Sequence, residues 1–234
     1  MSRTTGRAAG RPWLVLLALF GAALPAHGQH AARQASSSEY PTMAPISEYR
    51  MARDSEIALA RTAAPAAISR DAQIMVLGDK NFEVAVPGRN GFLCVVGRAF
   101  AGPLSNPEFW SPRNRSPICY NAPAVRSLWP YALKQTGLAL SGASKAEITD
   151  AIRSAVARQE LGTPEQGSMA YMMSRQAYLT DRGGHNLAHL MFELPGNGVL
   201  RDDPDYFVSW APAPVIEFIV PVGQWSDGTP INGH

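Results

Sequence analysis

Three short apolar segments separated by turn residues constrain the fold more than any other feature of this sequence. They occupy residues 72–77, 81–86 and 92–98. In the second segment Phe82, Val84 and Val86 recur at every second position, which is the period of a strand with one buried face. The connections, at residues 78–79 and 87–91, are rich in Gly, Asp, Pro and Asn, which favour tight turns. Strands joined by tight turns predict an antiparallel meander.

Further segments complete an α+β pattern. The same criteria predict three more strands, at residues 168–173, 187–194 and 214–220. Helices are predicted at about residues 47–63, from the capping residue Asn121 up to Pro130, which should kink or end that helix, and after a capping box formed by Ser144 and Glu147. Residues 102–117 contain four prolines and predict a long loop. The expected fold is an antiparallel sheet of about six strands with about three helices packed on one face.

The first 28 residues have the pattern of a cleavable export signal. Three arginines precede an apolar run at residues 13–26, and small residues follow at the positions that a signal peptidase recognises. This run is shorter than the roughly 20 residues that a membrane-spanning helix needs, so a retained anchor is the less favoured alternative. The predicted location is therefore periplasmic or secreted.

Cleavage after residue 28 would leave a chain that is nearly neutral, with 18 basic and 19 acidic side chains. Nucleic acids and anionic membranes bind clustered Lys and Arg, so neither a nucleic-acid partner nor membrane insertion after cleavage is expected. Residues 29–45 are mostly small and polar, which is typical of a flexible tether. The remaining residues, 46–234, are predicted to form a single α+β domain.

The two cysteines, Cys94 and Cys119, predict one disulfide bond. An exported chain meets an oxidising compartment, and both residues lie in apolar segments where a buried cross-link fits. Two buried reduced thiols are the alternative. A redox-active pair is disfavoured because the spacing is not Cys-x-x-Cys and no neighbouring positive charge would stabilise a thiolate.

Residues 181–194 carry the most suggestive polar side chains. These are Asp181, His185, His189 and Glu193. In a helix the last three would share one face and could hold a zinc-like ion. In a strand the two histidines would lie about 13 Å apart, too far for one ion. Gly-Gly and Pro-Gly pairs bound the segment like turns and favour the strand, which leaves one histidine acting as a general acid or base as the remaining catalytic alternative.

A second candidate for ligand binding is the aromatic and basic part of the long loop. Trp110 is followed by Arg113 and Arg115, a composition suited to holding a carboxylate or stacking on a planar ligand. The alternative is that the aromatic residues anchor the loop to the core. No phosphate-binding or nucleotide-binding motif is present, so no cofactor is expected.

Four stretches resemble a family of exported proteobacterial proteins that has no assigned function. They are residues 56–61, 91–94, 117–121 and 221–228, and the resemblance covers about residues 47–230. It implies export and a single domain but no activity, cofactor or catalytic residue. The favoured function is a non-catalytic binding or accessory domain of the envelope, with a small molecule or an envelope protein as partner. The alternative is a small metal-dependent or His-based hydrolase centred on His185 and His189.

Overall fold

A computed structural model describes residues 40–181, 187–196 and 207–231, which form an α+β fold built on one eight-stranded sheet. The helices are α1 (Ile46–Tyr49), α2 (Arg53–Arg61), α3 (Ala66–Ser69), α4 (Ala122–Ser127), α5 (Trp129–Leu140) and α6 (Lys145–Ala157), and Ala99–Ala101 form a short 3₁₀ helix. The strands are β1 (Gln73–Leu77), β2 (Phe82–Val86), β3 (Leu93–Gly97), β4 (Ser116–Tyr120), β5 (Met169–Met172), β6 (His189–Pro195), β7 (Phe207–Ser209) and β8 (Val215–Pro221). Their order across the sheet is β2-β1-β3-β4-β5-β6-β8-β7. The α+β class is confirmed, and the predicted numbers of strands and helices are too low. Among the described residues, no helix is long and apolar enough to cross a membrane.

The first three strands form a mixed sheet and not the predicted antiparallel meander. β2 pairs with β1 in antiparallel orientation, and the chain then crosses the N-terminal end of β1 and adds β3 on its other side, parallel to β1. The crossing brings two backbones close together, because a Cβ on Gly88 would lie 2.3 Å from the backbone nitrogen of Gln73. Gly88 therefore permits a close backbone approach, which the turn composition alone does not distinguish from a hairpin.

The sequence pattern did not predict β4 and α5, and each of these elements contains a proline. β4 contains Pro117, which lies opposite Val96 of β3, whereas the pairing of β4 with β5 involves only Cys119 and Tyr120. Pro117 thus lies where the strand is paired on one side only, and a missing N–H is tolerated there. Pro130 predicts a kink or the end of a helix, but it lies in the first turn of α5. A backbone N–H at that position has no partner within the helix, so proline removes no helical hydrogen bond there.

Helices cover both faces of the sheet, and not one face as predicted. In β3, Leu93 and Val95 belong to the larger core with residues of α4, α5 and α6, whereas Cys94 and Val96 belong to a second core that includes Leu59 of α2. Successive side chains of a strand point to opposite faces, so β3 is buried on both. The end of the predicted tether, residues 40–45, also contributes side chains that pack against the larger core.

Both predicted helix caps and the predicted disulfide are present. The Asn121 side chain caps α4, and Ser144 and Glu147 form a reciprocal capping box at α6. Cys94 and Cys119 lie directly opposite each other on β3 and β4 and are joined by a disulfide bond. This cross-link ties together two central strands that are separated by the long loop.

A buried ion pair joins α2 to the sheet. The side chains of Arg98 and Glu56 are 0% and 2% exposed, and Nη2 of Arg98 lies 2.9 Å from Oε1 of Glu56. Arg98 also donates to the backbone carbonyls of Tyr49 and Val96, while Glu56 accepts the N–H of Leu77. Burial lowers the pKa of Arg98 to about 10 and the charge of Glu56 opposes that shift, so the guanidinium stays charged at neutral pH.

Candidate functional site

A cavity of about 130 Å³ lies between the sheet and α5. Its walls are formed mainly by large aromatic and thioether side chains. These are Phe82, Tyr120, Trp129, Trp210, Met172 and Met191, and the polar residues on the walls include Arg98, Asn114, Ser116 and Glu217. Gly102, Pro103 and Asn106 line one side and are half-exposed, so the cavity approaches solvent beside the long loop. Apolar walls with a few polar groups are the general character of small-molecule sites.

Strand periodicity determines which side chains of β6 and β8 face the helices. In β8, Val215 and Glu217 are buried, whereas Ile216 and Phe218 point to the other face. In β6 the same alternation buries Met191 and its neighbour two positions on, Glu193. A charged residue is thus placed at an inward position of each strand.

Glu193 and Glu217 form a pair of buried carboxyls, here called the carboxyl pair. The two residues are direct partners in the antiparallel register of β6 and β8, a position that places Cβ atoms about 4.5 to 5.5 Å apart. They are 1% and 6% exposed. Glu217 lines the cavity, and Oε2 of Glu193 has no hydrogen-bond partner in the described part of the chain.

Burial raises the pKa of both members of the carboxyl pair. The pKa of Glu217 rises to about 7, and that of Glu193 rises to about 9 because the charge of Glu217 adds to the effect of burial. The indole of Trp210 lowers the pKa of Glu217 and so opposes the effect of burial. Its N–H lies near the carboxyl without forming a hydrogen bond, and therefore acts as a nearby dipole. Burial and both glutamates also raise the pKa of Tyr120, which stays neutral. At pH 7 the carboxyl pair therefore holds at least one proton.

The carboxyl pair predicts that stability falls as the pH rises above neutrality. A carboxyl with a raised pKa binds its proton more tightly in the folded state, so its contribution is complete below the unfolded pKa and is lost as the pH passes the folded pKa. Between pH 7 and 9 we expect the free energy of unfolding to fall by about 2 to 3 kcal/mol, mostly through Glu193. Urea unfolding at pH 7, 8 and 9 measures this slope.

Two glutamine variants test the assignment of that slope. Glu193→Gln should flatten it, because the buried group no longer titrates. Glu83→Gln is the control, since the Glu83 side chain is 57% exposed and should leave the slope unchanged. A slope that survives in Glu193→Gln would contradict the assignment.

The structure describes one of the two histidines that the sequence suggests as functional. His189 begins β6, is 8% exposed, and its Nδ1 lies 2.7 Å from the carbonyl oxygen of Leu187. Burial lowers its pKa, which keeps the imidazole neutral at pH 7. His189 and Glu193 share the inward face of one strand four positions apart, which separates them by about 13 Å. His185 lies outside the described residues. The strand expected for this segment is confirmed from His189 onward.

Asp181 is held by three side chains near the start of that segment. The hydroxyls of Tyr40 and Tyr178 donate to its two carboxylate oxygens, and Nη1 of Arg113 lies 3.0 Å from Oδ1. The two tyrosine hydrogen bonds lower the pKa of Asp181. The carboxylate is therefore engaged within the fold, and in the described ranges no three His, Cys, Asp or Glu side chains come together as a metal site.

The residues predicted for ligand binding on the long loop make contacts within the chain. Trp110 is 5% exposed and packs edge-on against Phe109, with ring centroids 4.7 Å apart. Arg113 stacks on the ring of Tyr178 and pairs with Asp181. Arg115 donates to backbone carbonyls, including those of Pro112 and Asn114. These contacts fit the alternative interpretation, in which the aromatic residues anchor the loop to the core.

Glu217 and the aromatic residues around it do not belong to any motif that the sequence predicts to be functional. One signal was present, because β8 reads VIEFIVP and its only charged residue stands at the position that alternation places inward. The match of Glu217 with Glu193 depends on strand order and register, which no local pattern reveals.

We compared the chain with protein-family models, curated proteins and solved structures. No family model, no curated protein and no solved structure matches this chain.

Proposed function

We propose that this chain is an exported bacterial envelope protein that binds a small molecule in the cavity and does not transform it. The observation that carries the proposal is the cavity itself, whose largely apolar walls include two buried residues of opposite charge type, Arg98 and Glu217. A cavity of comparable volume holds benzene in another protein, so the expected ligand has about six non-hydrogen atoms. Nucleotides and drug-sized molecules require about 300 to 1,000 Å³.

Binding is favoured over catalysis because of the side chains that face the cavity. Histidine is not among the described residues that line it, and the hydroxyl of Ser116 donates to Asn114 and not to a base. A nucleophile normally needs a general base within hydrogen-bond distance. What lines the cavity can hold and orient a small molecule.

Export is the second part of the proposal. The basic and apolar pattern of residues 1–28 supports it, and the buried disulfide between Cys94 and Cys119 is the kind of cross-link that persists in oxidising compartments. The partner is then a small molecule present in the periplasm or outside the cell.

Binding can be tested with 1-butanol as the probe, read out on methionine methyl groups labelled with ¹³C. The signals of Met172 and Met191, assigned with the Met172→Leu and Met191→Leu variants, should shift saturably as 1-butanol is added. Met51 packs against the second core and should not respond. Shifts that stay linear, or that affect all methionines equally, would contradict a binding cavity.

A cavity-filling variant gives the matched control. Ala132 lines the cavity from α5 and is 3% exposed, so Ala132→Leu should occupy part of the space and weaken 1-butanol binding at least tenfold. Thermal unfolding verifies that the variant is folded, and Ala132→Val provides a smaller step if leucine is not accommodated. Unchanged affinity in both variants would place the probe elsewhere.

A further inference from the structure

We infer that the ligand of the cavity is a small organic cation, a primary ammonium with a short apolar body, whose charge is held by Glu217. This inference rests on the proposed binding function and adds the chemical class of the ligand. Three features of the described residues carry it: the carboxyl pair, the pairing of the nearby arginine, and the aromatic walls.

The carboxyl pair lacks a cationic partner within the described residues. Neither Glu193 nor Glu217 has a Lys or Arg nitrogen within 4.0 Å among the described ion pairs. Charged groups that are fully buried are normally paired, so two adjacent unpaired carboxyls are costly. A cation bound at Glu217 would offset this cost, because it would allow one carboxyl to ionise beside a countercharge.

Arg98 cannot supply that countercharge, although it also lines the cavity. Its guanidinium pairs with Glu56 at 2.9 Å and donates to two backbone carbonyls. The groups that fix Arg98 lie on α1, α2 and β3, away from β6 and β8. The positive charge at the cavity is therefore already neutralised, and the negative potential of the carboxyl pair is not.

Aromatic side chains surround the same space. Tyr120, Trp129 and Trp210 all line the cavity with Glu217. The faces of aromatic rings attract cations, Trp most strongly, and cages of aromatic rings bind alkylated ammonium groups in other proteins. An anionic ligand of the same size would face both the ring electrons and the carboxyl pair.

The charge of the ligand can be tested with three probes of nearly equal size: n-butylamine, 1-butanol and butyrate. At pH 7.5 the first is a cation, the second is neutral and the third is an anion. In the wild-type chain we expect n-butylamine to bind at least tenfold more tightly than 1-butanol, and butyrate to bind most weakly. The Met172 and Met191 methyl signals report all three titrations.

Variants of the carboxyl pair locate the charge. Glu217→Gln should bring n-butylamine and 1-butanol to similar affinities and leave 1-butanol binding in place. Glu193→Gln should keep the preference for n-butylamine, because Glu217, which lines the cavity, remains. Equal affinities in the wild-type chain, or a preference that survives in Glu217→Gln, would overturn the inference. If 1-butanol and n-butylamine both fail to bind, the proposed function itself is wrong.

Discussion

Replacing Arg98 by methionine is expected to lower the free energy of unfolding by about 3 to 5 kcal/mol. The substitution keeps much of the apolar volume but leaves Glu56, whose side chain is 2% exposed, without its cation. It also removes the donors to the carbonyl oxygens of Tyr49 and Val96. A buried charge without a partner and two backbone acceptors without donors are each costly. Urea unfolding at pH 7 measures the loss.

An exposed ion pair between an arginine and a carboxylate is the matched control. Arg50 and Asp79 also form an ion pair, but their side chains are 43% and 83% exposed. Arg50→Met should therefore cost less than about 1 kcal/mol. The double variant Arg98→Met, Glu56→Met should recover part of the loss, since no charge is left buried. A loss at Arg98 no greater than that at Arg50 would show that the buried pair does not stabilise the fold.

Reducing the disulfide is expected to lower the free energy of unfolding by about 3 to 4 kcal/mol. Cys94 and Cys119 close a loop with a sequence separation of 25, and the cross-link restricts the unfolded chain in proportion to the logarithm of that length. Because β3 and β4 are already paired at these two residues, the folded state should change little. Urea unfolding with and without dithiothreitol measures the difference.

A cysteine-free variant separates the cross-link from side effects of the reductant. Cys94→Ala, Cys119→Ala should be destabilised to a similar degree in either buffer. Both sulfur atoms are buried, so a further small loss from the two cavities is expected. Equal stability of the oxidised and reduced chains would contradict the entropic account of this bond.

Local signals predicted much of the fold. β1, β2 and β3 lie within one residue of the segments marked by apolar periodicity, and α6 begins at the residue after its capping serine. Such signals act over three to five residues, so they depend little on tertiary context. α5 was missed because Pro130 suggested the end of a helix, although the first turn of a helix accepts proline equally well.

Local sequence signals did not predict how the strands are arranged in the sheet. The turn at residues 87–91 permits either a hairpin between β2 and β3 or a crossing over the N-terminal end of β1. Only the packing of both sheet faces decides between the two arrangements. For the same reason the helices were expected on one face, whereas β3 is covered on two. A run of apolar residues indicates burial but does not state what covers it.

The sequence by itself determined many of the strand and helix segments, the two side-chain caps and the disulfide pairing, because each depends on neighbouring residues or on a count of two cysteines. Tertiary structure decided the candidate site. Glu193 and Glu217 are 24 positions apart and become neighbours only through the register of β6 and β8, while Trp129 and Trp210 reach the same cavity from α5 and from the turn after β7. Strand register and helix placement are set by the burial of whole faces, a property of the assembled chain.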